Sequence, residues 1–115
     1  MIELIFAFST HFLPGEWNET HPGIRYEQAP FMGAFFVNSE GNPSLALGLV
    51  GRTDIFGQTV FGEIGGATGY SGGDVVPFLR AGIETGNLRF WVSPAATAKG
   101  EVGSVAGLDI IAMRF

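Results

Sequence analysis

Every β-prone run in this chain stops at an explicit turn signal within about a dozen residues, and no stretch carries the capped periodicity of a helix. The runs are Ile2–Thr10, Gly23–Gln28, Phe31–Asn38, Ser44–Thr53, Gln58–Tyr70, Val75–Glu84, Leu88–Ser93 and Val105–Arg114. Glu40-Gly41-Asn42-Pro43 and Ser71-Gly72-Gly73-Asp74 are turn sequences, and Thr85-Gly86-Asn87 suits a tight hairpin. Thr97-Ala98-Lys99-Gly100-Glu101 separates the last two runs. Sequential strands with short links predict an all-β fold, a small antiparallel up-and-down barrel of about eight strands. A two-sheet β-sandwich is the alternative. Glycines inside the runs, such as Gly48, Gly65 and Gly82, suit the bends of a tight barrel better than a flat sheet. With 115 residues and no internal repeat or linker, residues 1–115 form a single β-barrel domain.

Alternation within the runs separates two kinds of face. Leu45, Leu47 and Leu49 point one way, and Ser44, Ala46, Gly48, Val50 and Arg52 the other. Phe78, Arg80, Gly82 and Glu84 share a face opposite Pro77, Leu79, Ala81 and Ile83. One face is bulky and apolar; the other is small, with occasional charges. Two structures follow from this. A membrane barrel would show the bulky face to lipid and pair Arg52, Glu63, Arg80, Glu84 and Arg89 in its lumen. A soluble barrel would turn the bulky face inward. The first residues, Met1-Ile2-Glu3-Leu4-Ile5-Phe6, have no basic segment and carry an early acid, unlike an export signal. The expectation is therefore a soluble barrel, with a membrane location as the less favoured reading.

Composition excludes some functions. There is no cysteine, hence no disulfide, thiolate metal site or cysteine nucleophile. A net charge of −5, with Lys99 the sole lysine, argues against a nucleic-acid partner. Only 15% of residues are charged, and 46% are hydrophobic, which fits a membrane barrel, a compact all-β protein, or an oligomer that buries the Leu45/Leu47/Leu49 face between copies.

Reactive groups concentrate between the first two strands, in Thr10-His11-Phe12-Leu13-Pro14-Gly15-Glu16-Trp17-Asn18-Glu19-Thr20-His21-Pro22-Gly23, which holds both histidines. A loop of that length in so small a domain points to function, although its residue types are also those of any exposed loop. His11 at the strand exit is the candidate general base, with Glu19 or Glu16 orienting it. The candidate nucleophiles are Ser39, Ser9 and Thr10. Binding contacts are expected from His11, Asn18, Glu19, His21, Asn38 and Ser39. His11, His21 and Glu19 lack the spacing of known metal motifs, so no metal site is expected. Gly65-Gly66-Ala67-Thr68-Gly69 has no helix after it to complete a phosphate cradle, and no cofactor is implied.

His11, Asn18-Glu19-Thr20-His21-Pro22-Gly23, Asn38-Ser39 and Ala67-Thr68-Gly69-Tyr70 occur in the order found in small barrel proteins of tailed phages, a family of unsettled function that this chain resembles. Val76-Pro77 and Ser93-Pro94 fall where that family places prolines. The resemblance implies an accessory protein in the cytoplasm of an infected bacterial host, with the outer membrane as the alternative. It would bind a small polar ligand or a host protein at the 10–23 rim. The chain is also distantly similar to eight-stranded outer-membrane lipid A deacylases. That similarity implies an ester hydrolase using His11, Glu19 and Ser39, although the His-x-Ser arrangement of those enzymes is missing here.

Overall fold

The computed structural model describes residues 1–12, 19–71, 73–96 and 102–115. They form eight strands: β1 (Ile2–Phe12), β2 (Thr20–Gln28), β3 (Phe31–Val37), β4 (Pro43–Ile55), β5 (Gln58–Ala67), β6 (Val76–Thr85), β7 (Leu88–Ala96) and β8 (Val102–Arg114). Each strand pairs antiparallel with its sequence neighbours, and β1 pairs with β8 from Glu3↔Arg114 to Phe12↔Ser104. The sheet is thus a closed up-and-down barrel, which removes the free edges a sandwich would keep.

The two ends of the barrel differ. At one end β2–β3, β4–β5 and β6–β7 are joined by two-residue turns, and the first and last residues sit beside them. Phe56 and Gly57 both have positive φ, at 51° and 76°, as a tight hairpin of this hand requires. A phenylalanine there is a poor sequence signal, and its side chain stands fully exposed. The opposite end carries the longer connections, including the 10–23 segment.

The bulky face points outward, the reverse of the soluble arrangement expected from the sequence. Phe6, Phe8, Ile24, Phe35, Leu45, Leu47, Leu49, Ile64, Leu79 and Val92 are all exposed, Leu47 at 63%. The buried hydrophobic residues are few and mostly small, with Ala7, Ala46 and Ala67 among them. The reason is volume and charge together. An eight-stranded barrel is only wide enough inside for one layer of side chains. Here the inward positions hold glycine, alanine and serine near one end and paired charges near the other.

Those charges form one connected network. Arg25 meets Glu27 at 2.8 Å and also pairs with Glu63 and Glu3. Arg80 bridges Glu63 at 2.7 Å and Asp109 at 3.0 Å. Arg89 joins Asp109 at 3.1 Å to Glu3 at 3.0 Å, and Arg52 links Glu27 to Glu84 at 2.6 Å. Arg114 closes the circuit on Glu3 at 3.1 Å. It can do so because the β1–β8 register shifts between Leu4 and Ile5, a bulge that returns Arg114 to the inward side. All five arginines and five carboxylates are used, so the network is neutral. Trp91 donates its indole N–H to Asp109 at 2.8 Å, and Arg80 lies over the Trp91 and Phe61 rings.

Breaking a buried pair from one side strands its partner, at a typical cost of about 3–5 kcal/mol. Arg89→Ala is expected to lower the unfolding free energy by that order, because Arg89 is fully buried against Glu3, Glu84 and Asp109. Gly107 lies under the Trp91 ring, and a methyl there would run into it. Gly107→Ala is expected to cost about 1–3 kcal/mol, whereas Gly51→Ala, with open space around the new methyl, is expected to be nearly silent. Denaturant unfolding of the three variants under one set of conditions measures all of this.

Candidate functional site

Above the charged network the barrel is hollow. A cavity of about 830 Å³ opens toward the long-connection end. Its walls are Ile5, Ala7, Met32, Ala34, Phe36, Ala46, Ala67, Phe78 and Val105. Arg25, Glu63, Arg80, Trp91 and Asp109 line its floor, and Ser9, His11, His21, Ser39, Glu40 and Tyr70 its polar upper part. A mostly apolar shaft between a charged floor and a polar upper ring is the form of a site that buries a ligand and orients it by a few polar groups.

At that level Ser9 Oγ and His21 Nε2 lie 2.6 Å apart. Local sequence explains how this contact arises. Ala7 pairs with His21 across β1 and β2, so Ser9, two residues on, lies diagonally beside the imidazole on the inward face. Backbone bonds Ser9 N→Glu19 O and Glu27 N→Met1 O show that odd-numbered β2 residues bond to β1. Even-numbered residues of β2 therefore turn their N–H toward β3. Pro22 is even-numbered and has no N–H to give. The β2–β3 register accordingly ends at Gly23↔Phe36, one step short of Pro22 opposite Val37. The Val37 carbonyl is taken instead by His21 Nδ1, at 2.9 Å. A carbonyl only accepts, so Nδ1 carries the hydrogen and Nε2 is left as the acceptor for the Ser9 hydroxyl. Ser9 is buried and borders the cavity.

The other expected residues fall into three groups. His11 and Glu19 are brought together, with His11 Nδ1 at 3.8 Å from Glu19 Oε2 and the His11 backbone N–H donating to the same oxygen at 3.3 Å. Glu19 is half exposed, and only His11 of this pair lines the cavity. Asn38 is fully buried and is used structurally. Its Nδ2 donates to Gly69 O at 2.8 Å, and its Oδ1 accepts from the backbone N–H groups of Glu40 and Asn42. Ser39 lines the cavity and hydrogen-bonds to Tyr70, whose phenol is held above its ordinary pKa mainly by burial. Asn18 and Glu16 lie outside the described residues.

Sequence reasoning named Ser9 as a candidate nucleophile and His21 as a contact, but paired neither with the other. It assigned no role to Tyr70 or to the Val37 carbonyl. The available signal was Pro22 inside a strand, which announces a carbonyl without its ladder donor on the neighbouring strand. Among the described residues, no three His, Asp or Glu side chains gather in a way that could hold a metal ion. No protein-family model, curated protein or solved structure matches the chain.

Asn38 and Ser39 are therefore expected to separate on mutation. Asn38→Ala leaves buried partners unsatisfied and should cost about 1–3 kcal/mol. Ser39→Ala should change stability by no more than about 0.5 kcal/mol. Thermal unfolding of the two variants checks this.

Proposed function

We propose that this protein is a membrane-spanning barrel that takes an amphiphile, apolar chain first, into its open end. The observation that carries the reading is the outward apolar surface. Phe6, Ile24, Phe35, Leu47, Ile64, Leu79, Val92 and Ile110 come from all eight strands, so the band encircles the molecule. Large exposed apolar surfaces mark contact with another apolar phase. A partner copy covers one side of a barrel, whereas lipid covers the whole circumference, and strands of about 9–11 residues suffice to cross. In water the same surface would have to be solvated, which makes a cytoplasmic location the costlier alternative. Tyr26, Phe31 and Phe56 at the short-turn end suit an interfacial aromatic girdle.

Within that setting the cavity is the binding site. Its apolar shaft accommodates a hydrocarbon chain, and the ring of Ser9, His11, His21, Ser39 and Tyr70 meets a polar head. This keeps the small-ligand function expected from the 10–23 segment but moves the ligand from the outer rim to the interior.

Two outcomes test the reading. The protein should fold in detergent micelles or lipid vesicles and not in buffer alone, and Leu47→Arg should destabilise the lipid-folded form by about 2–4 kcal/mol. A water-soluble folded monomer would contradict the proposal. Ala34→Trp, which fills the shaft, should weaken binding of a fluorophore-tagged medium-chain fatty acid at least tenfold while leaving the gel mobility of the folded barrel unchanged.

A further inference from the structure

We infer that Ser9 and His21 form a nucleophile–base pair that cleaves a carboxylic ester whose acyl chain occupies the shaft. The inference rests on the cavity being a binding site, and it adds a reaction to it. Three observations converge. The Ser9 hydroxyl and His21 Nε2 are 2.6 Å apart, within the reach a proton transfer needs. The imidazole is fixed from its far side by the Val37 carbonyl at 2.9 Å, the place a carboxylate takes in a serine–histidine–acid triad. Both side chains border the apolar cavity, so a substrate held there meets the hydroxyl directly. His11 and Glu19 form a second pair nearby.

Pro22 makes the arrangement possible. A residue with an N–H at that position would return the ladder bond to Val37 and compete with the imidazole for its carbonyl. By withholding the donor, the strand itself supplies the base with an acceptor and selects the tautomer that can receive a proton from serine. Pro22 and the Val37 carbonyl are positioning groups; Ser9 and His21 are the catalytic residues.

The reaction balances with water as the second substrate. Ser9 Oγ forms a bond to the ester carbonyl carbon as its proton passes to His21 Nε2, and the carbonyl electron pair moves onto oxygen. The intermediate collapses, the bond to the alcohol oxygen breaks, and the alcohol leaves with the proton from His21. A water then gives its proton to Nε2 and attacks the acyl carbon. The acyl–Ser9 bond breaks, and the carboxylic acid leaves as the proton returns to Ser9. The imidazolium formed in each half keeps its Nδ1 hydrogen bond to Val37.

The test uses the full chain folded in micelles, with a fluorophosphonate carrying an alkyl tail as the probe and the tagged fatty acid as a non-reacting ligand. Mass spectrometry should find the phosphonate on Ser9, with labelling abolished in Ser9→Ala and reduced at least a hundredfold in His21→Gln. If His21→Gln fails to fold, nitrogen NMR of the wild-type imidazole replaces it and should show hydrogen on Nδ1 alone. Fatty-acid binding without labelling of Ser9 would overturn the catalytic inference and leave the cavity reading standing. Absence of binding would overturn both. Labelling undiminished in His21→Gln, or hydrogen on Nε2, would remove histidine from the mechanism.

Discussion

The closed interior circuit of arginines and carboxylates is the constraint on which the rest of this structure depends. Charges on inward positions of β1, β2, β4, β5, β6, β7 and β8 must meet partners, because a lone buried charge is far costlier than a paired one. Once those positions face inward, strict alternation sends the leucines and phenylalanines outward. The orientation of those seven strands is therefore decided by their charged residues, even though their apolar residues are more numerous, and β3, which carries no charge, follows the register of its neighbours. The β8 bulge that returns Arg114 to Glu3 shows how far the register adjusts to keep the circuit closed.

The same circuit divides the lumen. Arginine side chains and the Phe61 and Trp91 rings fill the short-turn half, while alanines, glycines and serines leave the other half open. A cavity with an apolar wall over a charged floor follows from where along each strand the charges are placed. At its upper level a single proline removes one ladder donor, and a histidine occupies the acceptor so released. Binding and chemistry would then share one small volume, with Ser9 and His21 held by strands and Ser39 and Tyr70 by the connections above them.

Turn chemistry made the strand count and order legible in the sequence. The Thr85-Gly86-Asn87 hairpin lies where Gly86 adopts positive φ, and Ser44–Thr53 falls within the longer β4. Which face is inside was not legible from alternation, because a period of two is the same whichever way the sheet is turned. The charges decide it, but only through pairing across strands far apart in sequence, as between Glu3 and Arg89. The site was half legible for a similar reason. Ser9, His11, Glu19, His21 and Ser39 were all visible as candidates, yet the pairing of Ser9 with His21 depends on the β1–β2 register. Asn38 looked like a ligand contact by residue type, and its burial against Gly69 makes it a tie between two connections.

The central claim is that the barrel turns its apolar side chains to lipid and its polar ones inward. A nitroxide scan along Ser44–Val50 of the vesicle-inserted protein tests it most directly, reading collision rates with oxygen and with a water-soluble relaxant. The account predicts high oxygen access at positions 45, 47 and 49 and low access at 44, 46 and 48. A pattern with the opposite phase, or high access to the water-soluble relaxant at 45, 47 and 49, would contradict it.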